Sequence, residues 1–184
     1  MSDGMSEAYH GTYFKDRSKK PKNPTKKKKI MNNQNNEITI FDVANYIIKK
    51  NKSAITNMKL QKLTYYCYAK YLVENNQPIF KEPIEAWLHG PVFPNLYNEF
   101  KRYTYKPICH GTKKGEEKHL TNDHRVLIDR IIELYGNKAP TSLTNVTHQE
   151  APWQSAWDNN EDWSKNVIKD EIIKNYFIKN LKKI

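Results

Sequence analysis

The residue with the clearest potential for acid–base chemistry is His148, in the stretch THQEAPWQSAW. Imidazole changes its charge near neutral pH, so a histidine in a cleft can act as a general acid or base. Thr147 and Glu150 have the T-x-x-E spacing of a capping box, which predicts that His148 lies in the first turn of a short helix. Trp153 and Trp157 are four residues apart, so their rings share a helix face. We interpret the stretch as a structural corner, with a hydrolase or transferase that uses His148 as the weakest alternative.

Four further side chains could bind a metal ion: Cys109, His110, His119 and His124, which follow one another in a polar connector. Structural zinc sites pair their ligands as C-x₂₋₄-C or H-x₃₋₅-H. Only His119 and His124 have such a spacing, and no second cysteine lies near them in the sequence. The pattern favours a polar loop, so we predict neither a metal site nor a cofactor.

Nucleophilic catalysis finds no support in the sequence. Cys67 lies on the apolar face of a predicted helix, where cysteine behaves as a small hydrophobic residue. Cys109 has no neighbours in the sequence that would activate its thiol. The chain has no G-x-S-x-G, no H-E-x-x-H and no glycine-rich phosphate loop among its six glycines. We therefore predict no catalytic residues and a protein that is not an enzyme.

The net charge of +11 is unevenly distributed along the 184 residues, a length that suits one domain. Residues 1–30 carry nine basic and three acidic side chains, more than half of the excess. The lysine run Lys26–Lys29 would attract phosphates without sequence preference, which predicts a weak nucleic-acid contact. With two cysteines, no apolar leader and no long apolar run, the chain is predicted to be cytoplasmic and to have no membrane contact.

Residues 1–36 lack hydrophobic periodicity and are rich in lysine, asparagine and proline. Such a segment cannot bury enough apolar surface to offset the entropy of ordering, which predicts a flexible basic extension. The domain proper is predicted to span residues 37–184. Aromatic residues are frequent at interface hot spots, and four of them are candidates for partner binding: Tyr9, Tyr13, Phe14 and Trp153.

Two helices are predicted to open the domain. Thr39 has Asp42 at capping-box spacing, just before an apolar stripe with helical periodicity. A longer helix follows over residues 58–76, capped by Thr56 or Asn57, with its apolar residues on one face. The lysines off this face are predicted to stay in solvent: Lys59, Lys62 and Lys70.

The middle of the chain has a different pattern. The segment IEAWLH (84–89) alternates apolar and polar residues, which predicts a short strand or extended segment that ends at Gly90 and Pro91. Pro94 suits the first turn of the helix that follows.

Three helical segments complete the chain. Asp123 begins a helix for which Gly136 has the position of a C′ glycine. A helical turn at residues 141–146 and a last helix from about Asn166 to Leu181 follow. The fold class is therefore mainly α, a compact single domain of about six helices with a short β-hairpin or extended segment.

Three motifs, in this order and spacing, resemble the Panacea domain of the SocA-like antitoxin family: MKLQKLTYYCYAKYL, PIEAWLHGPVFPNLYNEFK and LTNVTHQEAPWQSAW. The resemblance covers roughly residues 38–180. His89 stands where family members often have an aromatic residue. The positions that carry the resemblance are Lys59, Leu60, Gln61, Lys62, Leu63, Trp87, Gly90, Pro91, Thr147, His148, Trp153 and Trp157.

The resemblance implies a bacterial or phage antitoxin that neutralises a cognate toxin encoded beside it. Members of the family oppose toxins of unrelated chemistry, and some instead deliver the toxin to a protease as adaptors. One scaffold that serves many toxins implies that the shared motif residues are mainly structural, with partner contacts on variable surfaces or in residues 1–36. The alternative is a nucleic-acid-binding transcriptional regulator that uses the basic arm.

Overall fold

The computed structural model describes residues 37–157 and 166–180, together with Lys182 and Ile184. The predictions for residues 1–36, including the aromatic cluster at Tyr9, Tyr13 and Phe14 and the run Lys26–Lys29, lie outside the described residues. The predicted domain boundary between residues 36 and 37 accordingly stays a prediction.

Helices dominate the described residues, as the sequence predicts. Seven α-helices and one antiparallel hairpin are present there, one helix more than expected. The helices of this part of the chain are α1 (Ile40–Lys50), α2 (Asn57–Asn75), α3 (Pro94–Phe100), α4 (Asn122–Tyr135), α5 (Pro140–His148), α6 (Ala151–Ala156) and α7 (Asp170–Lys179). The hairpin pairs β1 (Glu85–Trp87) with β2 (Gly90–Val92). No helix in the described ranges is long and apolar enough to cross a membrane.

The central element is α2, which contacts α1, α3, α4, α5, α7 and β2. Thirteen of its 19 residues are buried. The prediction that its lysines stay in solvent is wrong for Lys59 and Lys62, which are 3% and 1% exposed. Lys70 is intermediate, with its side chain 17% exposed and its ammonium group in an ion pair with Glu74 at 2.8 Å. The apolar stripe in the sequence predicts that only one face of α2 is buried. In the structure, other helices and the hairpin pack against α2 on nearly all sides.

Three helix starts match the predicted capping or first-turn residues. Thr39 and Asp42 form the complete capping box of α1. The Thr56 hydroxyl accepts a hydrogen bond from the Lys59 amide and caps α2. Pro94 lies in the first turn of α3. These outcomes depend on side chains within three or four residues of each other, which a sequence displays directly.

Gly136 has a different role from the predicted one. Its backbone is right-handed, with φ of −60°, so it does not provide the left-handed turn of a C′ glycine. A Cβ atom at this position would instead overlap Oδ1 of Asn51 and the carbonyl oxygen of Ile132. The glycine is needed because α4 ends in close contact with the end of α1.

The segment before α7 pairs with the hairpin instead of beginning the last helix. The Ala86 amide donates to the Asn166 carbonyl at 2.8 Å, and the Ile168 amide donates to the Ile84 carbonyl at 2.8 Å. The predicted helix start near Asn166 is therefore wrong, and α7 begins at Asp170. Pairing with the free edge of β1 satisfies these backbone groups without a helix.

Candidate functional site

Residues from all three motifs meet at Gly90, in the hairpin. Gly90 has φ of +99°, a conformation that side-chain-bearing residues rarely adopt. A Cβ atom there would lie 2.6 Å from Oγ1 of Thr147 and 2.8 Å from Nζ of Lys62. We call this meeting point of Lys62, Gly90, Pro91 and Thr147 the motif junction. The absence of a side chain at Gly90 lets α2, the hairpin and α5 approach one another.

Lys62 is the buried cation of the motif junction. Its Nζ atom donates a hydrogen bond to the Pro91 carbonyl at 2.9 Å. Among the described residues, no carboxylate forms an ion pair with Lys62. Desolvation by burial lowers the pKa of Lys62 to about 7.

The other polar residues of the K-L-Q-K-L motif also bind neighbouring backbone or loops. Gln61 accepts a hydrogen bond from the Phe93 amide at 2.9 Å and donates to Oδ1 of Asn57 at 3.3 Å. Lys59 donates to Oγ of Ser53 at 2.8 Å. The motif thus joins α2 to the loop before it and to the end of β2.

His148 lies at the end of a helix, not at the beginning of one. It is the last residue of α5, and the predicted capping box of Thr147 and Glu150 is wrong. The Thr147 hydroxyl donates to the Thr144 carbonyl at 2.9 Å. The Glu150 carboxylate is fully buried and accepts from the Tyr66 hydroxyl at 3.1 Å. Because α5 already begins at Pro140, Thr147 is in its last turn and cannot cap the next helix.

The environment of His148 favours the neutral imidazole. Burial lowers its pKa, the positive charges of Lys62 and His89 lower it further, and a hydrogen bond with the Leu88 backbone acts in the opposite direction. The ring stacks on Trp153 with centroids 4.0 Å apart and planes 14° apart. The neutral imidazole of His148 thus packs against the indole of Trp153. The described residues place no hydroxyl or thiol nucleophile in hydrogen bond to it.

The tryptophan stack extends from His148 through α6. Trp153 and Trp157 stack with centroids 5.1 Å apart, so the prediction that their rings share a face is confirmed. Trp153 is 9% exposed, and its indole N–H donates to the Trp87 carbonyl at 3.0 Å. This geometry favours a structural role for Trp153, which joins α6 to β1. Partner binding by Trp153 stays a prediction.

A buried tyrosine cluster around Glu150 was not recognised from the sequence. Tyr66 stacks on Tyr135 with centroids 4.3 Å apart, and Tyr65 lies 6.0 Å from Phe177, edge to face. Burial and the nearby Glu150 carboxylate raise the pKa of Tyr135 to about 12. The tyrosine-rich run in α2 was the available signal, but the partner glutamate lies 84 residues away.

The four potential metal ligands do not converge in the structure. Nδ1 of His119 lies 3.2 Å from Oδ1 of the buried Asp42. His124 closes the capping box of α4. Cys109 and His110 are exposed. Within the described ranges, no group of three or more histidine, cysteine or acidic side chains has the geometry of a metal site.

A cavity of about 340 Å³ opens beside the motif junction. Apolar side chains from α2, the hairpin and α3 line it, among them Met58, Trp87, Val92 and Tyr97. Leu88 stands at its edge with 55% of its surface exposed. We call this cavity, together with Leu88, the hairpin cleft.

The described residues therefore form a helical domain in which residues of all three motifs meet at the motif junction, beside the hairpin cleft. Residues 60–154 match the family described as Antitoxin SocA-like, Panacea domain, and this is more than half of the chain. The chain belongs to this family, as the resemblance predicted. It is similar to a protein named Antitoxin SocA from Caulobacter vibrioides (strain NA1000 / CB15N), with 29% identity over 126 residues. That alignment spans 60% of this chain and 66% of the relative. No solved structure matches the chain significantly.

Proposed function

We propose that this protein is an antitoxin that neutralises a cognate toxin protein by direct protein–protein binding. Membership of the SocA-like Panacea family supports an antitoxin with a toxin partner. The observation that supports direct binding is that the polar side chains of the motifs form their hydrogen bonds inside the domain. Lys62 binds Pro91, and Glu150 accepts a hydrogen bond from Tyr66, so the polar groups of the motifs serve the interior.

This arrangement explains how one scaffold can oppose different toxins. Residues that maintain the interior can be shared by many proteins, while the surface changes with the partner. The family is generally non-enzymatic. The stacking of His148 on Trp153 supports the same conclusion for this chain, because it gives the ring a packing role.

Co-expression with the product of the adjacent gene tests the proposal. We expect that product to stop growth, and we expect the full-length protein to restore growth and to co-purify with it in a stoichiometric complex. The amount of toxin separates the two modes of action: a direct neutraliser leaves the toxin level unchanged, whereas a protease adaptor lowers it. If the adjacent product is toxic and this chain neither restores growth nor binds it, the proposal fails.

A further inference from the structure

We propose that the hairpin cleft is the surface that binds the toxin, and that it takes a segment in which an apolar side chain is flanked by carboxylates. This inference rests on the proposed antitoxin function and specifies its binding site.

The first argument is exposed apolar surface at a preformed cavity. Leu88 and Tyr97 are 55% and 37% exposed, and both line the cleft. The rings of Trp87 and Tyr97 meet edge to face with centroids 5.0 Å apart, which forms a firm wall. A cavity of about 340 Å³ lies within the range of sites that take a small ligand or a few side chains. Aromatic pockets of this kind accept the anchor residues of a partner.

The second argument is charge. One exposed lysine, Lys101, lines the cleft, and no aspartate or glutamate occurs among its described lining residues. Nζ of Lys101 binds the side-chain amide oxygen of Asn98, which carries no compensating charge. The Lys101 ammonium group therefore gives the cleft a positive charge beside its apolar surface, and a partner with carboxylates next to an apolar anchor is complementary to it.

The positive charge of the cleft disfavours binding of another candidate occupant, the N-terminal extension of this chain. Residues 1–30 carry nine basic and three acidic side chains, so they have the same sign of charge as the cleft. An acidic segment of a partner protein is the better electrostatic match.

Matched substitutions in the full-length chain test the site. Leu88→Asp places a charge at the apolar edge, and Lys101→Glu reverses a basic charge of the lining. Val126→Asp and Lys138→Glu make the same changes at exposed positions away from the cleft. We expect the two cleft variants to bind the toxin at least tenfold more weakly and to lose growth rescue. The controls should behave as wild type, and all four should show wild-type circular dichroism and melting. If wild type neutralises the toxin and both folded cleft variants neutralise it equally well, the inference is wrong.

A peptide titration tests the cleft chemistry without the toxin. The probe is acetyl-Gly-Glu-Leu-Glu-Gly-amide, and its analogues replace both glutamates by lysine or the leucine by alanine. Backbone amide shifts of Leu88 and Tyr97 in NMR spectra report binding at the cleft. We expect the acidic leucine peptide to bind at least fivefold more tightly than either analogue, and Leu88→Asp to abolish the difference.

Equal binding of the three peptides, or shifts confined to other surfaces, would overturn the inference. Selective peptide binding by a wild-type protein that restores no growth would support the cleft chemistry and contradict the antitoxin function. The two failures are thus distinguishable.

Discussion

Nζ of Lys62 lies 2.9 Å from the Pro91 carbonyl oxygen and joins the central helix to the hairpin inside the protein. A lysine buried to 1% exposure costs desolvation energy unless its charge is paired or lost. The protein holds this cation against a backbone carbonyl. It lies beside Gly90 and Thr147, so residues from all three motifs meet at this point.

Replacement of Lys62 by methionine should alter the pH dependence of stability. Burial lowers the pKa of Lys62 to about 7, so between about pH 7 and pH 10 the unfolded chain binds a proton that the folded chain does not. The contribution of Lys62 to wild-type stability should therefore rise with pH in this window, by about 1 kcal/mol per pH unit, while above about pH 9 the raised pKa of the buried Cys67 thiol opposes the rise in wild type and variant alike. Lys62→Met should lack this rise, as measured by urea unfolding at a series of pH values. The exposed control Lys138→Met should retain it, and parallel profiles for wild type and Lys62→Met would contradict the prediction.

Replacement of Gly90 by alanine should destabilise the fold strongly. The left-handed backbone costs about 1–3 kcal/mol for a residue with a side chain, and the new Cβ would lie 2.6 Å from Oγ1 of Thr147. We expect a loss of roughly 2–4 kcal/mol in the free energy of unfolding. Leu88→Ala, an exposed position in the same turn, is the control and should stay within about 0.5 kcal/mol of wild type. Near-wild-type stability of Gly90→Ala would contradict the prediction, because the neighbouring residues would then have moved to make room for the Cβ atom.

Replacement of His148 by glutamine should affect stability and leave toxin neutralisation intact. The pKa of His148 is lowered in the folded state, so acidification below neutral pH protonates the unfolded chain first and destabilises the wild-type protein. His148→Gln should lose less stability than wild type between about pH 7 and pH 5. Thermal melts across this range, together with growth rescue at neutral pH, provide the measurements. Loss of neutralisation by a stably folded His148→Gln would favour a direct role for the imidazole.

The two stacked tryptophans should differ in their contributions to stability. Trp153 is 9% exposed and donates a hydrogen bond to Trp87, whereas Trp157 is half-buried beyond the end of α6. Trp153→Ala should cost about 3–5 kcal/mol, the usual range for a buried large aromatic side chain. We expect Trp157→Ala to cost about 1–2 kcal/mol, because less of its surface leaves water. Chemical unfolding of the two variants gives the loss in free energy of unfolding for each. Equal losses would contradict the prediction and indicate that the two stacked rings contribute equally to stability.

Local features were predictable because their causes are local. The capping box of Thr39 and Asp42, the cap at Thr56 and the helix start at Pro94 each depend on residues within one turn, and the structure has all three. The period-two pattern of IEAWLH likewise predicted the strand β1. Family membership also followed from the sequence, because three motifs in a set order are more specific than any one of them.

The tertiary structure alone decided the roles of the polar motif residues. Lys62 was expected in solvent and is buried against Pro91, 29 residues away. Glu150 was expected to cap a helix and instead contacts Tyr66, 84 residues away. The hairpin cleft was not predicted at all, since its walls come from α2, the hairpin and α3. Whether a polar side chain is buried depends on which distant segments pack over it, and helical periodicity within one segment contains no information about those neighbours.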